Sequence, residues 1–144
     1  MPRPRTLDDD ALLAGFTAGT LRSFSHDDHV RVAWLLCTRS ADSAAALDAM
    51  TSGIRSMAES RGLSDKFHAT RTAAWLALVD AASDPAATPG GDSHEFLAQH
   101  PELLDRAALD AHYSTEVLNS DAARRAFVAP DLAPLPVSGR GGER

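Results

Sequence analysis

Residues 24–34 read FSHDDHVRVAW. A serine precedes two histidines and two aspartates, and the chain then turns apolar through Val30, Ala33 and Trp34. Ser25 suits a helix N-cap, because its hydroxyl accepts a hydrogen bond from a backbone N–H that would otherwise lack a partner. Asp27 and Asp28 suit the positive end of a helix dipole. The stretch therefore predicts a helix over roughly 26–39, opened by polar side chains and buried beyond its first turn.

Outward from this helix the chain continues to read as helix, with strand signals nearly absent. Residues 8–19 (DDDALLAGFTAG) predict a short helix with acids at its start. Residues 42–60 predict another, with Leu47, Met50, Ile54 and Met57 at core spacing and Gly62 just past its end. Ser64 and Asp65 are expected to open a fourth over KFHATRTAAWLALVDAA, whose apolar stripe runs through Phe67, Ala74, Trp75, Leu78 and Val79. DPAATPGGD at 84–92 reads as a linker. Beyond it, SHEFLAQHPELLD and AALDAHYSTEVL read as short helices, and SDAARRAF as a last one capped by Ser120. From Pro130 the chain is too rich in proline and glycine for helix, and its first half is expected to lie extended along the body. The expected fold class is all-α: a single compact helical bundle over 1–136 built around the helices at 26–39, 42–60 and 66–82, with an extended Pro-rich tail and a disordered end at 137–144.

Composition narrows the function classes. The chain has 144 residues, one domain's worth, and a net charge of −6 with its basic residues scattered. Nucleic-acid binding needs clustered Lys and Arg, so nucleic acid is not an expected partner. No apolar run is long enough to span a bilayer, and MPRPRTLDDD lacks the apolar core of a secretion signal. The lone Cys37 forms no internal disulfide, which fits a reducing cytoplasm, and its apolar surroundings suggest a buried thiol rather than a nucleophile. A cytoplasmic protein acting on a small molecule is the expectation, with a homo-oligomer left open.

The candidate chemistry lies in the histidines. His26 and His29, at i and i+3, project from nearly the same side of one helix and so can share one metal ion. His68 opens the helix at 66–82. With the helix at 42–60 running back between them, the starts of the two outer helices are expected at one end of the bundle. His26, His29 and His68 would then form a mononuclear three-histidine site for copper, iron or zinc with an open coordination position. Asp27 or Asp28 is a candidate to ligate or to orient a ring, although dipole complementarity explains both acids. Thr70 and Thr72 offer hydroxyls near His68, and Tyr113 a phenol; these three are the candidate catalytic groups. Trp34 and Trp75, each one to two turns after a candidate ligand, are expected to wall a cofactor pocket, though a helical Trp is more often core. The competing reading keeps His26 and His29 solvated and makes His68 a hydrogen-bonded interior side chain. His94 is expected to face water and His100 to sit at a helix end.

The runs FxHxxHVRxAW, FHxTxTxxW, HPxLLD, YSxxxLxSxxAR and PDLxPLP together resemble an uncharacterised family of small bacterial helical proteins. The likeness covers about Phe16 to Pro136. It implies a second histidine where this chain has Ser25, tyrosine where it has Phe67 and glutamate where it has Ala69. It supplies no activity. Loss of a carboxylate base at position 69 disfavours hydrolysis, so a redox, dioxygen-using metal enzyme is the leading expectation. A non-catalytic binding or structural helical module without metal is the alternative.

Overall fold

The computed structural model describes residues 8–63, 67–83 and 92–136. Residues 84–91 of the expected linker at 84–92, the helix opening at Ser64 and Asp65 and the tail at 137–144 lie outside the described residues, and Asp92, the linker's last residue, caps α5. The fold is all-α, and no strand occurs among the described residues. Its elements are α1 (Asp9–Ala18), α2 (His26–Arg39), α3 (Ser43–Ser60), α4 (Ala69–Ala82), α5 (Ser93–Gln99), two 3-10 turns (Pro101–Leu104 and Arg106–Ala111), α6 (Thr115–Leu118) and α7 (Asp121–Arg125). Among the described residues no helix is long and apolar enough to cross a membrane.

Local chemistry sets these boundaries. Ser25 caps α2 in a reciprocal box: its Oγ accepts from Asp28 N at 3.1 Å, while its own N–H donates to the Asp28 carboxylate at 3.2 Å. Asp8 and Asp42 cap α1 and α3 through Ala11 N and Ala45 N, each at 2.8 Å. Gly19 (φ 74°) ends α1 in the left-handed conformation that glycine adopts without strain. Helix α4 starts later than the sequence suggests. His68 Nδ1 accepts from Arg71 N at 3.1 Å, so this imidazole is the N-cap rather than a first-turn residue. The run AALDAHYSTEVL is not one helix; it breaks between the second 3-10 turn and α6, where Ser114 caps the latter.

Helix α2 is the centre of the molecule. It packs against α1, α3, α4 and α5, and every residue from Val30 to Cys37 is buried. Helices α2, α3 and α4 pack mutually as expected, with Met50, Met57, Trp75 and Val79 in the core. Leu12 and Phe16 from α1 and Phe96 from α5 complete that core. Enclosure on all sides places Arg31 inside, 2% exposed. Burying a guanidinium is tolerable only with close polar partners. Arg31 Nε donates to Ser93 Oγ at 2.7 Å and Nη2 to Asp9 at 3.2 Å. Ser93 in turn donates to Asp9 from Oγ at 2.5 Å and from N at 2.9 Å. Burial raises the pKa of the Asp9 carboxyl, but the Ser93 and Arg31 hydrogen bonds and the Arg31 charge outweigh it and hold the group below its ordinary range.

Helices α1 and α3 approach closely at Gly53. A Cβ built there would stand 2.2 Å from two ring atoms of Phe16, which is itself 2% exposed. Alanine normally improves a helix interior by about 1 kcal/mol over glycine, whereas overpacking costs about 1–3 kcal/mol. The Gly53→Ala variant is therefore expected to lose about 1–2 kcal/mol, read as a lower urea midpoint; an unchanged or raised midpoint would show that Phe16 moves aside freely.

Candidate functional site

The Ser25 cap fixes where α2 begins and hence where its two histidines point. The His26 and His29 ring centroids lie 6.2 Å apart, edge to face, so the i, i+3 pair does come together. His26 meets the edge of Trp75 at 4.6 Å and its Nε2–H donates to Leu103 O at 2.9 Å. His29 stacks on Phe24 at 5.8 Å, and Phe24 stacks on Phe16 at 5.6 Å. An aromatic row thus runs from α1 through the α1–α2 connection and α2 to α4. The His29 residue keeps some exposure, but its Nε2 atom is buried and has no hydrogen-bond partner among the described residues.

His68 stands apart from the pair in its bonding. Its Nε2–H donates to Leu118 O at 2.7 Å while Nδ1 accepts from Arg71 N, so both ring nitrogens are engaged. A metal ligand needs an imidazole lone pair. His68 has none to give without uncapping α4, whereas His26, donating from Nε2 to Leu103 O, keeps the lone pair of Nδ1. The three side chains as arranged do not fit a three-histidine centre. No group of three His, Cys, Asp or Glu is placed to hold a metal ion among the described residues. Asp27 is exposed, and Asp28 serves the α2 cap and lies 3.9 Å from Arg31.

The other candidates are engaged in holding the fold. Thr70 donates to Ala126 O at 2.9 Å and accepts from Val128 N at 3.0 Å. Thr72 donates to His68 O within its own helix. Tyr113 is 1% exposed and its hydroxyl donates to Val128 O at 2.7 Å; burial, and then the charge of Asp131, pushes its pKa up. Trp34 and Trp75 are buried as expected of core aromatics, Trp34 stacking on Phe96 at 5.5 Å. Neither lines the cavity described next. His94 is exposed, and His100 Nδ1 lies 3.2 Å from Glu102.

That cavity, of about 520 Å³, opens between the ends of α2, α3 and α4. Phe24, Ile54, Met57, Leu63 and Phe67 give it apolar walls; His29, His68, Thr72, Arg61 and Arg71 supply its polar groups. Arg61 and Arg71 are exposed, which puts their charges toward the opening, and Arg61 also donates to Leu21 O at 2.6 Å. The Arg55 guanidinium lies over the Phe67 ring at 4.6 Å. No carboxylate lines the cavity among the described residues. The sequence reading reached His29, His68 and Thr72 but missed both arginines: Arg61 lies in the turn that ends α3 and Arg71 in the first turn of α4, in sequence contexts no different from solvated ones. Comparison of the chain with protein-family models, with curated proteins and with solved structures finds no match in any of the three.

Burial, and next the charge of His26, pushes the pKa of His29 down from 6.5 to about 4. Burial also lowers His68; the Leu118 hydrogen bond opposes this, and Arg71 and Arg124 add to the lowering. Both imidazoles are therefore neutral in the folded protein at neutral pH. Because unfolded His29 takes up a proton near its ordinary pKa and folded His29 does not, its contribution is complete above pH 6.5 and is lost as pH falls toward 4. The loss should be on the order of 3 kcal/mol, measured by urea unfolding across that range. His29→Gln is expected to flatten most of this acid slope, with the remainder due in part to His68; an unaltered slope would place the titration elsewhere.

Proposed function

We propose that the protein is a small-molecule binding module whose cavity takes an organic anion with an apolar body. The observation that carries this is the cavity's charge pattern. In a chain of net charge −6, two arginines stand at the opening and no described lining residue is acidic. A volume of about 520 Å³ suits a compact organic ligand. Planar guanidinium groups recognise a carboxylate through paired, charge-assisted hydrogen bonds. Among the described residues the Arg71 side chain has no ion-pair partner, so it is available for such a contact. Phe24, Ile54, Met57 and Phe67 would shelter the ligand's apolar portion, and Arg55 over Phe67 steadies one wall.

This reading corresponds to the binding-module alternative rather than to a metal-dependent oxidoreductase. The latter would require His68 Nδ1 to give up the Arg71 N–H and so uncap α4, which opposes the helix start that this hydrogen bond secures.

Isothermal titration with octanoate and 3-phenylpropanoate, set against their primary amides, tests the proposal. At least one carboxylate is expected to bind and its amide not to. Arg71→Ala should weaken the carboxylate about tenfold or more, the usual effect of losing a hydrogen bond to a charged group. Affinity should also fall with added salt. Equal binding of acid and amide, or no binding of either acid, would overturn the anion reading.

A further inference from the structure

Helix α4 gives the cavity Arg71 and Thr72, and both are held by the residue that precedes the helix. The His68 ring accepts from Arg71 N at 3.1 Å, while the His68 carbonyl accepts from Thr72 N at 3.1 Å and from Thr72 Oγ at 2.9 Å. On the far side of the ring, Nε2 lies 2.7 Å from Leu118 O at the end of α6. Serine, threonine and asparagine cap helices through oxygens that accept at any ordinary pH. An imidazole nitrogen accepts only while it is unprotonated. The start of α4 therefore carries a condition that the serine caps of α2, α6 and α7 do not.

The two contacts also fix the ring's protonation state. Nδ1 faces an N–H and carries the lone pair; Nε2 faces a carbonyl and carries the hydrogen. A proton added at Nδ1 sets N–H against N–H, so the Arg71 cap is lost while Nε2–H still meets Leu118 O. The charged groups about the ring are Arg71 on its own helix and Arg124 on α7, with Arg61 and His29 lining the same cavity from the end of α3 and from α2. Burial, joined by Arg71 and Arg124 and opposed by the Leu118 hydrogen bond, holds His68 below its ordinary pKa and leaves the cap intact at neutral pH. Resting on the anion reading above, we propose that His68 is the positioning residue of this site: its neutral ring sets Arg71 for the ligand's carboxylate, and its protonation releases Arg71 and weakens anion binding. The sign is diagnostic, because a positive charge gained beside a bound anion would by itself tighten binding in acid.

Isothermal titration of the full chain with octanoate and 3-phenylpropanoate from pH 7.5 to 5 tests this, with ring-carbon NMR shifts of His68 reporting its own protonation. His29, its pKa pushed down to about 4, stays largely neutral over that range. Affinity is expected to fall about fivefold as His68 takes up its proton, the order of a lost helix cap. His68→Asn, whose amide oxygen caps without titrating, should keep most of the pH 7.5 affinity and lose this fall. Protonation of the ligand itself is common to both proteins and cancels between them. His68→Ala should bind about fivefold weaker at pH 7.5 and add little to Arg71→Ala, since the two act through one group. Affinity that holds or rises while His68 protonates, or a fall that persists in His68→Asn, would overturn the assignment. So would a ring that stays neutral to pH 5, or independent losses in the double variant. Any of those results, with a carboxylate bound at pH 7.5, leaves the anion reading standing. Absence of binding by both carboxylates removes that reading and this inference together.

Discussion

The buried Arg31 guanidinium is the constraint around which the rest of the molecule is arranged. Helix α2 is enclosed by four other helices, and a charge at its middle must find partners inside. Those partners come from chain positions far from it: Asp9 at the start of α1 and Ser93 at the start of α5, which bond each other as well. One side chain thereby fixes where α1 and α5 begin relative to α2. The two helices then bring Phe16 and Phe96 into the core, and Phe16 sets the position of Phe24, on which His29 stacks. The cavity wall is in this sense an extension of the ionic tie.

Much of the architecture was legible locally. Ser25 and Gly62 mark the start of α2 and the end of α3 because each acts on backbone groups within a few positions, whereas Asp42 and Gly19, read as helical, cap α3 and end α1. What the sequence concealed depends on distant partners. The start of α4 moves because the His68 ring caps it while reaching Leu118, fifty residues on. The break at His112–Ser114 coincides with hydrogen bonds to Leu132 and Asp131, which no helical propensity reflects. For the candidate site, the proximity of His26 and His29 follows from helix geometry alone. The destination of each ring nitrogen does not, since it depends on carbonyls supplied by other segments.

The histidines share a physical role that their spacing does not advertise. His26 joins α2 to the 3-10 turn at Leu103, His68 joins α4 to α6, and His112 Nδ1 lies 3.2 and 3.1 Å from Ala133 O and Pro134 O. A neutral imidazole suits such junctions because it can donate from one nitrogen and accept at the other within a flat, partly apolar ring. His29 sits among these connectors with the same chemistry and a different outcome: its Nε2 is buried without a hydrogen-bond partner among the described residues, where the others meet a carbonyl.

The contacts of Thr70 carry a consequence for biosynthesis. Its hydroxyl is fully buried by accepting Val128 N and donating to Ala126 O, more than fifty positions downstream, and Tyr113 anchors the same stretch. A ribosome releases the chain from its N-terminus, so α2, α3 and α4 emerge while the segment that covers the start of α4 is still being made or threaded through the exit tunnel. During that interval the Thr70 hydroxyl and the first turn of α4 are hydrated, and the wall bearing His68 and Thr72 is not yet fastened. The nascent helices can collapse on one another, but the first turn of α4 is fastened only once residues 126–128 reach it.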